Sequence, residues 1–300
     1  MRVRSFVSIV AAGLIPATAI AGDTRDDRGK PEPPMAGIHW ARGAQPAAKG
    51  GGSPILVWHH GNIMTDVVVG TVFWGPSWNN KSFAGDKMTG LDSFYEGLGM
   101  SSYADTNTEY SAPNGFVGTQ VTFTQSYVDA SPVPSNAGSR TGPILSEVCK
   151  VIPNPVANGY YAVYVDQPRG HAGFCAWHSA GSCGGTPVQF AFFFNLDGDP
   201  GCDPQDSSNA HSQGLAALAN VSGHEWSEMM TDPRLDAWYD STGAENSDKC
   251  AWAFGTPTLT LKNDSQWKIQ GNWSNRAYAN AAGYRSRDGL AGCIDGGNYK

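Results

Sequence analysis

The stretch SNAHSQGLAALANVSGHEWSEMMTDP, residues 208–233, decides how the rest of the chain is read. Leu215, Leu218, Val221, Trp226 and Met229 recur at helical spacing. Pro233 ends the run, because proline cannot donate a main-chain hydrogen bond and clashes with the preceding turn. The spacing predicts the longest helix of the protein over residues 208–231. Near its end stands His224-Glu225-Trp226-Ser227-Glu228. Residues i and i+4 share one helix face, so His224 and Glu228 can grip one metal ion. Glu225 is offset by one position, where a general base belongs if it is to reach the attacking water rather than the metal. A third ligand must come from elsewhere, and Glu245 is the prime candidate, with Asp232 its rival. Asp248 is expected to orient His224 through the other ring nitrogen. Zn²⁺ suits such a site, and a set this rich in acids also suits Ca²⁺ or Mn²⁺.

Working outward, Pro54–Trp58 and Asp66–Trp74 read as strands, the second central because it is apolar on both faces. Met88, Leu91, Phe94, Tyr95 and Leu98 predict a helix over 85–98. Residues 117–128 alternate as a half-buried strand, 143–152 read as a short helix, and 160–165 and 188–196 as further strands. Residues 250–300 read as short strands and turns. The fold class is therefore α/β (α+β), a mixed sheet with one long His-Glu helix. Strand, helix, several strands and then a His-Glu helix is also the element order of zincin catalytic domains, which makes the expected fold zincin-like by analogy.

Arg2 and Arg4, the apolar run 6–20 and the small residues Ala19 and Ala21 read as a secretory signal over residues 1–21. The apolar run is too short for stable membrane insertion. Loss of the signal would take the net charge from −7 to −9, which argues against nucleic acid as a partner. Residues 22–53 are rich in Gly, Ala, Pro and charge and read as a mobile leader, leaving 54–300 as one domain. An exported chain with six cysteines (Cys149, Cys175, Cys183, Cys202, Cys250 and Cys293) is expected to be disulfide-stabilised. Cys175 and Cys183 could staple one loop, and Cys250 and Cys293 could tie down the last segment. Localisation is expected to be secreted, extracellular or periplasmic.

Other chemistry-bearing residues carry less. His59-His60 reads as a polar strand end, with a second metal contact the lesser reading. His178 falls in a Gly-rich loop between two cysteines, where it could close over the His-Glu helix. Asp197-Gly198-Asp199-Pro200-Gly201 with Asp203 lacks the terminal Glu of a calcium loop and reads as an acidic turn. No Gly-x-Ser-x-Gly nucleophile motif is present.

The segment Gly223-His224-Glu225-Trp226-Ser227-Glu228-Met229-Met230-Thr231-Asp232-Pro233 continues through Asp236-Ala237-Trp238-Tyr239 and Glu245-Asn246-Ser247-Asp248-Lys249-Cys250. It resembles the EXORDIUM or phosphate-induced protein family of secreted proteins, which carry a His-Glu-x-x-Glu helix and an acidic segment ending in Cys in the same order. Phe174-Cys175 with His178, and Val72-Phe73-Trp74-Gly75, look like two further family segments. Asp232, Asn246 and Lys249 depart from the pattern, as in a remote bacterial relative. The resemblance implies that His224, Glu225, Glu228, Glu245 and Asp248 act as one constellation. Two functions are compatible with these residues. One is a secreted metal-dependent hydrolase, a zinc metallopeptidase-like protein acting on peptide or protein. The other is a non-catalytic extracellular protein that binds cell-wall polysaccharide, its ten tryptophans serving as sugar platforms.

Overall fold

The apolar, β-branched runs form the middle of one sheet. In the computed structural model, which describes residues 31–46 and 53–300, the chain begins with β1 (Ala36–Trp40), β2 (Val57–Trp58) and β3 (Val67–Trp74). It continues through α1 (Lys81–Ala84), α2 (Lys87–Leu98), α3 (Ser102–Asp105), β4 (Ser111–Ala112), β5 (Gly115–Phe116) and β6 (Val121–Asp129). Next come α4 (Thr141–Val151), β7 (Gly159–Pro168), β8 (Phe174–Cys183), β9 (Thr186–Asn195) and α5 (Gln213–Thr231). Short elements close the chain: β10 (Trp238–Tyr239), β11 (Leu259–Thr260), β12 (Gln266–Trp267), β13 (Asn272–Trp273), α6 (Asn275–Ala279), β14 (Tyr284–Arg285) and β15 (Ala291–Ile294). The expected signal over residues 1–21 lies outside the described residues. Among the described residues no helix is long and apolar enough to cross a membrane.

Six strands pair in the order β1-β8-β9-β7-β3-β6. The pairs β7/β9, β7/β3 and β3/β6 are parallel, while β8/β9 and β1/β8 are antiparallel. The result is a mixed α/β sheet. Strands β3 and β7 are buried along nearly their whole length because helices cover both sheet faces, which is why their sequences are continuous apolar runs. Helix α2 packs on β3 and β6, and α5 packs on β1, β8, β9 and α2. Helix α4 packs on β7, β8 and β9.

Two strands correct the sequence reading. Residues 174–183, read as a Gly-rich loop, are the ten-residue strand β8. The turn that joins it to β9 is Gly184-Gly185, both at positive φ, as a tight two-residue hairpin requires. Residues 36–40, assigned by composition to a mobile leader, are the edge strand β1. Its pairing with β8 slips between Ala36 and His39, and Gly37 sits there at φ +51°. An extra residue at a left-handed glycine forms a β-bulge, which re-aims the side chains that follow it. The strand read over 54–58 contracts to β2.

The disulfides are Cys149–Cys183, Cys175–Cys202 and Cys250–Cys293. The last is the expected tie. The Cys175–Cys183 staple is not formed: eight residues of straight strand set those cysteines roughly 26 Å apart. Three disulfides fit an oxidising, extracellular environment.

Helix α5 starts at Ser212, whose hydroxyl accepts from the Leu215 N–H and donates to Asp86. It is buried on every side from Gly214 to Thr231, not on one apolar face only. Its polar face is covered by residues 245–250 and by 270–272. The Asn220 side chain accepts from the Gln270 N–H, and Asn272 Nδ2 donates to Ser227 Oγ.

Candidate metal centre

Strand alternation and helix periodicity aim several ionisable side chains at one point. In β8, Trp177 Nε1 donates to Gly138 O ahead of α4, a side chain on Gly181 would meet Leu145 of α4, and Cys183 is bonded to Cys149 of α4. The even-numbered His178 therefore faces the opposite side, towards α5. On α5, His224 Nε2 stands 3.1 Å from Glu228 Oε1, one turn on. The 245–248 segment locks on by its own main chain: the Asp248 N–H donates to Glu228 Oε1 (2.9 Å) and the Glu245 N–H to Asp248 Oδ2 (3.1 Å).

The outcome is two ligand groups that share Glu228. His178, Glu228 and Glu245 form one, and His224, Glu228 and Asp248 the other; within each, one potential ligand atom per residue lies within 4.8 Å of the others. His178 Nε2 is 3.1 Å from Glu245 Oε2 and 3.7 Å from Glu228 Oε2. Asp248 Oδ1 is 3.7 Å from His224 Nε2. The expected set His224, Glu228 and Glu245 is thus divided between the two groups, and each half gains a partner. Among the described residues no other group of three potential ligands assembles.

Asp248 differs from its expected role. It approaches His224 on the Nε2 side, and Gln270 holds Nδ1. The Gln270 amide nitrogen lies 2.9 Å from Nδ1 and donates to Ser247 O (3.0 Å), while its oxygen accepts from the Trp252 N–H (3.2 Å) and lies 3.0 Å from His39 Nε2. The two main-chain contacts settle the assignment of the amide, so His224 carries its proton on Nε2. A cation at Nε2 would need the proton moved to Nδ1 and the amide turned, at the expense of its bonds with Ser247 O and the Trp252 N–H. Asp232, the rival ligand, caps the turn after α5: its Oδ1 accepts from the Asp236 and Ala237 N–H groups. Glu225 is fully buried with neither oxygen hydrogen-bonded; the His39 main chain lies near but out of bonding geometry.

Without a cation the site is electrically costly. Burial, reinforced by neighbouring acids, pushes Glu225, Glu228 and Glu245 well above the usual carboxylate range. Burial also raises Asp248, against the pull of His224. Asp232 is pushed up to about 7 by burial and by Glu245. Burial lowers His224 to about 4 although Asp248 opposes it, and lowers His178 against the pull of Glu228. The His178 and His224 imidazoles are therefore neutral at pH 7, the form that ligates metal. Buried polar atoms left without a hydrogen bond include His224 Nε2, Glu228 Oε2 and Glu245 Oε1. Native proteins rarely leave such atoms orphaned unless something else meets them.

Two contributors escaped the sequence. His39 packs edge-on against His224, ring centres 4.4 Å apart, and Gln270 links both histidines. The only available signal was the order Gly37-Ile38-His39-Trp40, too short to stand out. The weaker candidates fall elsewhere. His59 stacks on Tyr239 (3.6 Å), a polar strand end. Asp197 pairs with Lys87 and Asp199 with Arg169, as in an ordinary acidic turn.

Compared with protein families, with curated proteins and with solved structures, the chain matches none.

Proposed function

We propose that the protein is a secreted, metal-dependent hydrolase with peptide or protein as substrate. The observation that carries this reading is the buried cluster itself: imidazoles and carboxylates from α5, β8 and the 245–248 segment converge with unsatisfied ligand atoms, and an unpartnered carboxyl, Glu225, stands beside them. Mixed imidazole and carboxylate donors favour Zn²⁺ or Mn²⁺ over Ca²⁺, which takes six to eight oxygens. A bound cation would supply Lewis acidity to a scissile carbonyl and acidify water. Glu225 would accept the proton of the attacking water and return it to the leaving amine. Gln270 would hold the His224 ring in place, and Asp248, the most exposed member at 17% of its side chain, would mark the side from which solvent and substrate arrive.

Burial favours a second reading, in which the ion is structural and locks α5 to the 245–250 segment. The sugar-platform form of that reading has little support, because none of the ten tryptophans is exposed. The two readings part on Glu225→Gln. A hydrolase loses cleavage of casein and peptide libraries while keeping its metal and fold. Wild type inactive on every substrate, with metal bound, would leave only the structural role.

A further inference from the structure

We infer that the centre is dinuclear, with Glu228 as a bridging carboxylate between two divalent cations. This rests on the reading of the cluster as a cation site and adds a second ion to it. The two oxygens of Glu228 face different ways. Oε1 faces His224 and, through the Asp248 N–H, the 248 segment; Oε2 faces His178. Each oxygen therefore belongs to one trio, His224 and Asp248 on one side and His178 and Glu245 on the other. Ligand atoms held about 2.0–2.2 Å from one tetrahedral ion stand roughly 3.3 Å apart. The nitrogen–oxygen distances of 3.1 and 3.7 Å in each trio bracket that value.

Three further observations point the same way. Glu228 Oε2 and Glu245 Oε1 are buried and unpartnered on the His178 side, as His224 Nε2 is on the other, so both halves present unmet ligand atoms. On the His178 side β1 leaves room for a glycine only beside the ligand atoms. Gly37 passes so close that a methyl group there would overlap Glu228 Oε2 and the His178 ring. Charge also has to balance. As metal ligands, Glu228, Glu245 and Asp248 would bring three negative charges into a buried site, and among the described residues none of them is paired with lysine or arginine. One divalent ion leaves one of those charges uncompensated where burial strongly disfavours an unpaired charge, and a second ion covers it. A carboxylate bridge holds such ions about 3.5–4 Å apart, the spacing at which two metals clamp an attacking and a leaving oxygen together.

The test is metal stoichiometry. The purified full chain is stripped with chelator, shown to be folded by near-ultraviolet circular dichroism, and titrated with Zn²⁺ and separately with Mn²⁺. Two equivalents are expected for wild type, one for His178→Ala and one for His224→Ala. The Mn²⁺-loaded wild type should show the electron paramagnetic resonance of an exchange-coupled pair, a readout that needs no variant to fold. One equivalent in wild type, lost in His224→Ala and kept in His178→Ala, with an isolated Mn²⁺ spectrum, overturns the second ion and leaves the hydrolase reading standing. No bound metal in wild type removes both.

Discussion

Replacing Gly37 by alanine tests the geometry of the centre without touching a ligand. The residue sits at φ +51° in the β1 bulge, and a Cβ there would come closer than 3.0 Å to Glu228 Oε2 and to two atoms of the His178 ring. Two costs follow. A non-glycine residue in the left-handed region costs roughly 1–2 kcal/mol. Forcing an extra methyl into a packed interior costs about 1–3 kcal/mol more. Neither neighbour can step aside freely, because the Glu228 carboxylate is bonded by the Asp248 N–H and the His178 ring by Glu245. The sum, about 2–5 kcal/mol, corresponds to a loss on the order of 4–20 °C in Tm for a domain of this size. Calorimetry at fixed metal concentration is the assay, since a bound ion shifts Tm by mass action. The metal-loaded protein should lose more than the stripped protein, because the methyl group also occupies ligand space. A Gly37→Ala protein with wild-type Tm and wild-type metal content would refute the placement of β1 against the centre.

Other outcomes follow from the same contacts. In metal-free protein the Asp232 carboxyl, pushed up to about 7 by burial and by Glu245, keeps its proton in the folded state where the unfolded chain has lost it, so its contribution to stability should fall as pH rises through about 7; burial shifts the three buried glutamates in the same direction. Saturating metal should reverse that slope, because ligation requires the deprotonated acids; denaturant midpoints from pH 6.5 to 8.5 check both signs. Gln270→Leu strips partners from Ser247 O, the Trp252 N–H, His39 and His224. It should weaken metal binding about 10–100-fold, read by competition with a chromophoric chelator. Removing the Cys250–Cys293 bond by paired alanine substitution should cost about 2–5 kcal/mol. Metal affinity should fall with it, since that bond anchors the segment carrying Glu245 and Asp248 to β15; loss of stability with unchanged affinity would show that the segment holds itself.

Much of the sheet was legible because apolar runs report burial: residues 66–74 and 160–165 read as strands, the first of them central, and they fall on β3 and β7. Helix α5 was legible from its leucine spacing and from Pro233. Its complete burial was not, since periodicity reports apolar neighbours and α5 also buries Asn220, Ser227 and Glu228 against polar ones. Strand β8 hid for a related reason: its α5 face carries Ala176, His178 and Ala180, small or polar residues that leave room for the site. The pairing of His224 with Glu228 is a matter of helix geometry and needed no tertiary information. His178, His39 and Gln270 reach the site from β8, β1 and the stretch before β13, and only the fold brings such distant positions together.

Anomalous diffraction puts the central claim to the most direct test. Crystals grown with Zn²⁺ or Mn²⁺ and measured at the metal edge should show density on both sides of the Glu228 carboxylate, one peak against His224 and Asp248 and the other against His178 and Glu245. An anomalous map with no peak among these five residues, in crystals where the same metal is bound elsewhere, would contradict the account.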